Sequence, residues 1–309
     1  MKTNRIFFLA AALSAVVALT SCGKNETTVN TSAPVRFSAA IAGQALPGAA
    51  TRAEGTTWAS GDAVGIFMVN HGLTTIAENA GNRQYTTTGD GNFTAVAGDE
   101  IYYPMDGSAV DFIAWYPYSA GAALGTPVAI PIATTQTAAN QPDFDLLYAT
   151  ANNSGNGYTK TTSGAVALAF SHKLSKLVLN TTADPSVGVA LTGMTVKITG
   201  MNTAGTFDLS TGALGTTGTP AAITPRTITD GASYDAIILP GSYAAGALTV
   251  EFTIGSGSGA ETFVWNVGAI TFDSGSQYTY DLTLKRTGVT VTGSITPWTP
   301  VASGSGTAE

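Results

Sequence analysis

The chain has 309 residues, 44% of them hydrophobic and only 11% charged, with 36 glycines and a formal net charge of −7. The apolar share excludes an intrinsically disordered chain, and scattered bases on an acidic background exclude a nucleic-acid binder. One cysteine, Cys22, can close no internal disulfide and build no four-ligand zinc site.

Residues 1–21 read as an export signal. Lys2 and Arg5 give a positive start, and an apolar run follows from Ile6 to Leu19. At ~14 residues the run is too short to span a bilayer core, which needs ~20. Leu19-Thr20-Ser21-Cys22 resembles the lipobox at which bacterial lipoproteins are cut and acylated. That resemblance makes Cys22 the first mature residue, carrying lipid on its sulfur and its amine. The competing reading is a plain signal peptide with an incidental cysteine. Two or three acyl chains make a firm anchor where one holds only marginally. Removing residues 1–21 takes Lys2 and Arg5 and no acid, which leaves 11 basic residues against 20 acidic. Residues 22–34 are polar and aperiodic and read as a tether.

From there on, the apolar residues alternate with period two, the signature of half-buried strands. Candidates in chain order include "VRFSAAI" (35–41), "AVGIFMV" (63–69), "AVDFIAWYPY" (109–118), "AVALAF" (165–170) and "SKLVLN" (175–180). Further on stand "MTVKITG", "YDAIILP", "ALTVEFTIG", "TFVWNVG", "QYTYDLTLKR" and "GVTVTGSI" (288–295). Turn signals such as "GDGN" at 89–92 separate them, and no long 3.6-residue period follows the signal segment. Many short strands with frequent turns predict an all-β protein of sandwiches or barrels. The polar stretch 150–163 is the best internal linker, dividing 35–160 from 161–300, with a Gly/Ser-rich tail at 301–309.

Motifs for catalysis are nearly absent. His71 and His172 have no second histidine at ligand spacing, and neither a nucleophile elbow nor a phosphate loop occurs. Asp143 and Asp145 in "QPDFDLLYA" lack the oxygen series of a calcium loop and read as turn caps. His172 reads as a hydrogen-bonded structural group. Trp115, Tyr116 and Tyr118 could stack on sugar rings, but core packing is the commoner use of such aromatics, and Trp58 and Trp298 read the same way. The chain is therefore read as a non-enzyme without metal or cofactor.

The succession "TRAEGTTWASGDAVGIFMV", "IYYPMDGSAVDFIAWYPY", "VALAFSHKLSKLVLN" and "DSGSQYTYDLTLKRTGVTVTGSITPW" resembles the fimbrillin family of Gram-negative anaerobes, whose members build type V pili. The resemblance runs from about Val35 to Trp298. It implies two tandem β-sandwich domains of transthyretin-like topology. It further implies export as a lipoprotein to the outer membrane and a cut after an arginine by a trypsin-like protease. The first strand then departs, and a strand from another fimbrial subunit takes its place at the cell surface.

These residues accommodate that scheme. A first strand at 35–41 would span ~23 Å at ~3.3 Å per residue and would place Val35, Phe37, Ala39 and Ile41 on one face. Its loss would open an apolar trench with unpaired backbone groups, which strand addition satisfies. "GAATRAEGT" is a Gly-rich loop whose only base is Arg52, the favoured cleavage site; Arg36 is the rival, but it lies inside the strand pattern. The candidate donor strand carries Val289, Val291 and Ile295. An acceptor at one end and a donor at the other predict open-ended, head-to-tail assembly. The rival function is a cell-surface glycan-binding lipoprotein.

Overall fold

A computed structural model describes residues 34–42, 57–286 and 288–298. Cys22, Arg52 and the 301–309 tail lie outside the described residues. The described chain forms nineteen strands and three single 3-10 turns, with no α-helix among the described residues. The strands of the first half are β1 (Phe37–Ile41), β2 (Ala63–Asn70), β3 (Arg83–Thr87), β4 (Asn92–Ala95), β5 (Val110–Tyr116), β6 (Val128–Pro131), β7 (Leu147–Ala151) and β8 (Val166–His172). Those of the second half are β9 (Ser175–Ala183), β10 (Thr195–Asp208), β11 (Ala213–Ile223), β12 (Arg226–Thr229), β13 (Ser233–Ile238), β14 (Gly241–Tyr243), β15 (Thr249–Ile254), β16 (Glu261–Asn266), β17 (Ile270–Phe272), β18 (Ser276–Lys285) and β19 (Gly288–Pro297).

Seven strands close into a barrel in the order β1-β4-β3-β2-β5-β7-β8. Every seam is antiparallel except the closing one, where β1 runs parallel to β8. The second half forms a sheet β11-β10-β15-β16, with β6 added to β10, and a sheet β12-β13-β9-β18-β19. Strands β14 and β17 make a separate pair.

Two cores result. Phe37, Ile66, Met68, Phe112, Leu168 and Phe170 fill the barrel. Phe67, Val69, Ile113 and Trp115 come from the opposite faces of β2 and β5, and they join Phe207, Phe252 and Tyr278 in a second core. Both faces of β2 and β5 are therefore buried. That explains why "AVGIFMV" and "AVDFIAWY" are continuous apolar runs where a one-sided strand would alternate.

The halves are interlaced. Strand β8 follows the polar stretch 150–163 yet closes the first barrel. That stretch is itself ordered: Tyr158 and Val110 exchange two backbone hydrogen bonds, of 2.8 and 2.9 Å. In the other direction, β6 pairs with β10, and the side chain of Gln136 mimics a strand. Its Nε2 donates to the Ile237 carbonyl at 2.7 Å, and its Oε1 accepts the Ile237 N–H at 2.8 Å. Nearby, fully buried Asp235 accepts from Arg226 through two bonds of 2.7 and 2.6 Å, from Lys176 at 3.0 Å and from Gln141 at 3.1 Å. Burial alone would raise this carboxyl, but Arg226 and Lys176 outweigh it and hold Asp235 below the usual range. A charge this deep persists only because it is paired so completely.

Candidate functional site

The seam around β1 closes the barrel and buries one alternate set of side chains. Alternation puts one set of side chains inward, and the structure buries that set: Val35, Phe37, Ala39 and Ile41 are 5, 2, 7 and 1% exposed. Fully burying a Val, Ile or Phe contributes ~1.5–3 kcal/mol each, so this strand covers a substantial apolar trench. The ring of Phe37 meets Tyr85 and Phe112 edge-on, with centroids 5.0 and 5.1 Å apart. Trp58 forms the other wall, edge-on to Phe93 and Phe170, and its Nε1 donates to the Ala39 carbonyl at 3.1 Å.

The backbone of β1 is fastened unequally. Toward β8 it is in register over five positions, from Phe37–Val166 to Ile41–Phe170. Toward β4 only Phe37–Phe93 and Ser38–Asn92 are paired. The Ala39 N–H extends that side by donating to the Gly91 carbonyl at 2.7 Å. Gly91 has φ +79°, and a Cβ there would stand 2.9 Å from the Ala39 carbonyl oxygen. The turn read from "GDGN" therefore needs glycine both for its conformation and for this close approach. Beyond these contacts the β4 side opens into a cleft of about 800 Å³ lined by Val35, Tyr85, Ile101 and Tyr103. Burial pushes the Tyr85 phenol up to about 12, and its oxygen accepts the Ile101 N–H at 2.9 Å.

Arg36 is exposed, and its carbonyl accepts the Val166 N–H at 2.8 Å, which ties it into the β1–β8 seam. At the other end of the chain, β19 is an edge strand, antiparallel to β18 over ten positions from Lys285–Gly288 to Ser276–Pro297. Val289 and Val291 are half-buried against the second core, whereas Ile295 is 64% exposed. Trp298 pins the end of the strand. Its N–H donates to the Gly275 carbonyl at 2.8 Å, and its ring stacks on His172 at 3.9 Å and 7°.

The other singled-out residues fall into structural roles. Nδ1 of His172 lies 2.9 Å from Asp145 Oδ1, with both groups buried. The Asp145 side chain thus serves this pair, where the sequence predicted a turn cap. His71 Nδ1 lies 3.0 Å from Asp111 Oδ1. Trp115 is buried and donates from Nε1 to Asn82 Oδ1 at 3.0 Å. Among the described residues, no group of three or more His, Cys, Asp or Glu could hold a metal ion. Sequence reasoning missed the parallel closure onto β8, the strand β6 and the roles of Asn82 and Gln136. None of these leaves a periodic signal.

Comparisons with known proteins agree with one another. The model of a family described as fimbrillin-like matches residues 51–298. A Bacteroides uniformis protein named as fimbrium subunit Fim1C is 37% identical over 303 residues, covering 94% of this chain and 95% of that one. A crystal structure from Bacteroides uniformis ATCC 8492, described as a cell adhesion protein, is 34% identical with a TM-score of 0.70 and covers 86% of this chain and 98% of that one. The tip fimbrial protein Mfa3 from Porphyromonas gingivalis shares the fold at 8% identity and a TM-score of 0.51, over 86% of this chain and 100% of that one. With its barrel closed by an opening strand and an edge strand at its far end, the chain belongs to the fimbrillin-like family, a family of structural proteins and not of enzymes.

Proposed function

We propose that the protein is a structural subunit of a cell-surface fimbria of the type V kind. In this reading it is exported as a lipoprotein held in the outer membrane through Cys22. A trypsin-like protease matures it by cutting after Arg52, with Arg36 as the rival site. Other fimbrial subunits then polymerise with it by donor-strand exchange: β1 leaves, and β19 of a neighbouring copy fills the groove. The two tandem β-sandwich domains of transthyretin-like topology belong to the same proposal. The proposal keeps the two domains at 35–160 and 161–300, with β8 of the second supplying the strand that closes the first barrel.

One observation carries the exchange. Read in the same chain direction, the inward positions of β1 and its lead-in are Val35, Phe37, Ala39 and Ile41, and the matching alternate positions of β19 are Val289, Val291, Gly293 and Ile295. Both series run large, large, small, large. The third position is small in both strands. At Ala39 the backbone N–H donates to the Gly91 carbonyl and the carbonyl accepts the Trp58 indole N–H, which fastens the strand at its third inward position. At Gly293 a Cβ would come within 2.8 Å of the Tyr280 ring. Leaving β18 would cost β19 one ladder, the half-burial of Val289 and Val291 and the burial of Trp298. Pairing in the groove restores the ladder and seals the trench.

The test is limited trypsin treatment followed by N-terminal sequencing and a non-boiled gel. The expected product begins at Ala53 and forms ladders. A product beginning at Phe37 would move the site to Arg36, and a trimmed protein that stays monomeric would defeat the exchange. Separately, a Cys22→Ala precursor is expected to leave the membrane fraction; its recovery there would defeat the lipid anchor.

A further inference from the structure

Between β5 and β6 lies a groove of about 610 Å³, within the size range of small-ligand sites. Its floor is apolar and buried, made by Trp115, Ile130, Phe144 and Leu146. Pro117 and Tyr118 form a half-buried wall, and Ser119, Thr126 and Asp143 stand on the rim. A second cleft of about 360 Å³ opens on the same wall. It shares Pro117, Tyr118 and Asp143 and adds the polar residues Ser60 and Asp62.

The wall is held rigidly. Asn82 accepts the Trp115 indole N–H and donates from Nδ2 to the Ser119 carbonyl at 2.8 Å. The Tyr118 N–H donates to the Ala63 carbonyl at 3.0 Å. Gly65 makes room for this arrangement, since a Cβ there would collide with both the Asn82 amide and the Trp115 ring. The residues that fix the wall are thus separate from the Tyr118 ring and the rim groups.

The lining restricts the occupant. No Lys, Arg or His lines either cleft among the described residues, and a carboxylate stands on both, so an anion is disfavoured. A peptide strand added to β6 is disfavoured as well. The Ile132 N–H donates to the Thr203 carbonyl, so in this register Ile130 and Val128 also turn their backbone groups toward β10. Pro127, Ala129 and Pro131 then face the opposite way, and the two prolines offer no N–H there. A purely apolar ligand would leave the hydroxyl and carboxylate rim unused. What fits is a molecule with apolar C–H faces for the Tyr118–Pro117 wall and uncharged hydroxyls for Asp143 and Ser119. Two clefts sharing one wall suit more than one linked ring.

We propose that this groove binds a neutral oligosaccharide. The site is distinct from the β1 seam and does not depend on strand exchange. The experiment is calorimetric titration of the purified, untrimmed chain with maltohexaose, cellohexaose, laminarihexaose and mannohexaose, with a sulfated heparin oligosaccharide and a proline-rich peptide alongside. At least one neutral hexasaccharide is expected to bind. Tyr118→Ala should weaken it ~10-fold or more, about one decade in Kd, while Tyr118→Phe stays within ~3-fold. Asp143→Asn should weaken it about 5-fold, with melting temperatures within ~2 °C of the parent chain. No binding by any neutral sugar at millimolar concentration would overturn the proposal. So would binding indifferent to Tyr118→Ala, or preference for the sulfated sugar or the peptide.

Discussion

In β1 and the residues leading into it, Val35, Phe37, Ala39 and Ile41 are at most 7% exposed, whereas in β19 Val289 and Val291 are half-buried and Ile295 is 64% exposed. Both strands alternate apolar and polar residues, and they differ in what surrounds them. Strand β1 closes a barrel and plugs an aromatic trench, with a full seam on one side and a partial one on the other. Strand β19 has one full seam and, at the end of its sheet, one edge without a partner among the described residues. Burial energy follows the neighbours, so the same pattern makes one strand costly to lose and the other cheap to lend.

The sharpest way to break this contrast is to truncate the plug. Phe37→Ala in the untrimmed chain removes a ring packed between Tyr85 and Phe112, and large-to-small changes of this kind cost ~3–5 kcal/mol. Urea unfolding should register that loss. A cost below ~1 kcal/mol would mean that the trench collapses around the gap, and β1 would not be the plug it resembles.

A second test uses pH to watch the trench. Burial pushes the phenols of Tyr85 beside β1 and Tyr280 beside β19 up to about 12. The folded state favours the neutral phenol, whereas the unfolded chain ionises near ~10. The stabilisation is therefore complete below pH ~10 and is lost as pH rises toward ~12. If cleavage frees β1, water reaches Tyr85, and its ionisation should fall toward pH ~10 in the trimmed monomer while Tyr280 stays put. Ultraviolet titration of Tyr85→Phe and Tyr280→Phe chains, trimmed and untrimmed, separates the two. An unmoved Tyr85 would mean that the trench does not open.

How much of this was legible in advance depends on whether a feature is local. Alternation is local, so the strands at 35–41 and 288–295 and the all-β class could be read from the residues themselves. Pairing is not local: nothing in "VRFSAAI" or "AVALAF" specifies that they run parallel, because that depends on chain passing around the barrel between them. Strand β6 was missed because "PVAIP" is short and bracketed by prolines, which argue against a central strand but suit an edge. Continuous runs in β2 and β5 concealed a second core, since a strand buried on both faces shows no alternation. The groove beside Tyr118 was visible only as aromatic residues. Its shape comes from Asn82 and Gly65, distant in sequence and bland in type.

The smallest effect tests the match between the two strands. Val291 is half-buried against the second core, so Val291→Ala in the untrimmed chain should cost only about 1 kcal/mol or less by urea unfolding. In an assembled filament, by contrast, strand exchange would place Val291 where Phe37 sat, in a space shaped for a larger ring. Val291→Ala should then lower the temperature at which ladders dissociate, and Val291→Phe should raise it by refilling the trench, even if it leaves the monomer unchanged or slightly less stable. The opposite ordering, with Val291→Phe weakening the ladders, would show that β19 enters in a different register or that another strand is the donor. Because the substitution is read in two contexts, a change in monomer folding cannot be mistaken for a change in assembly.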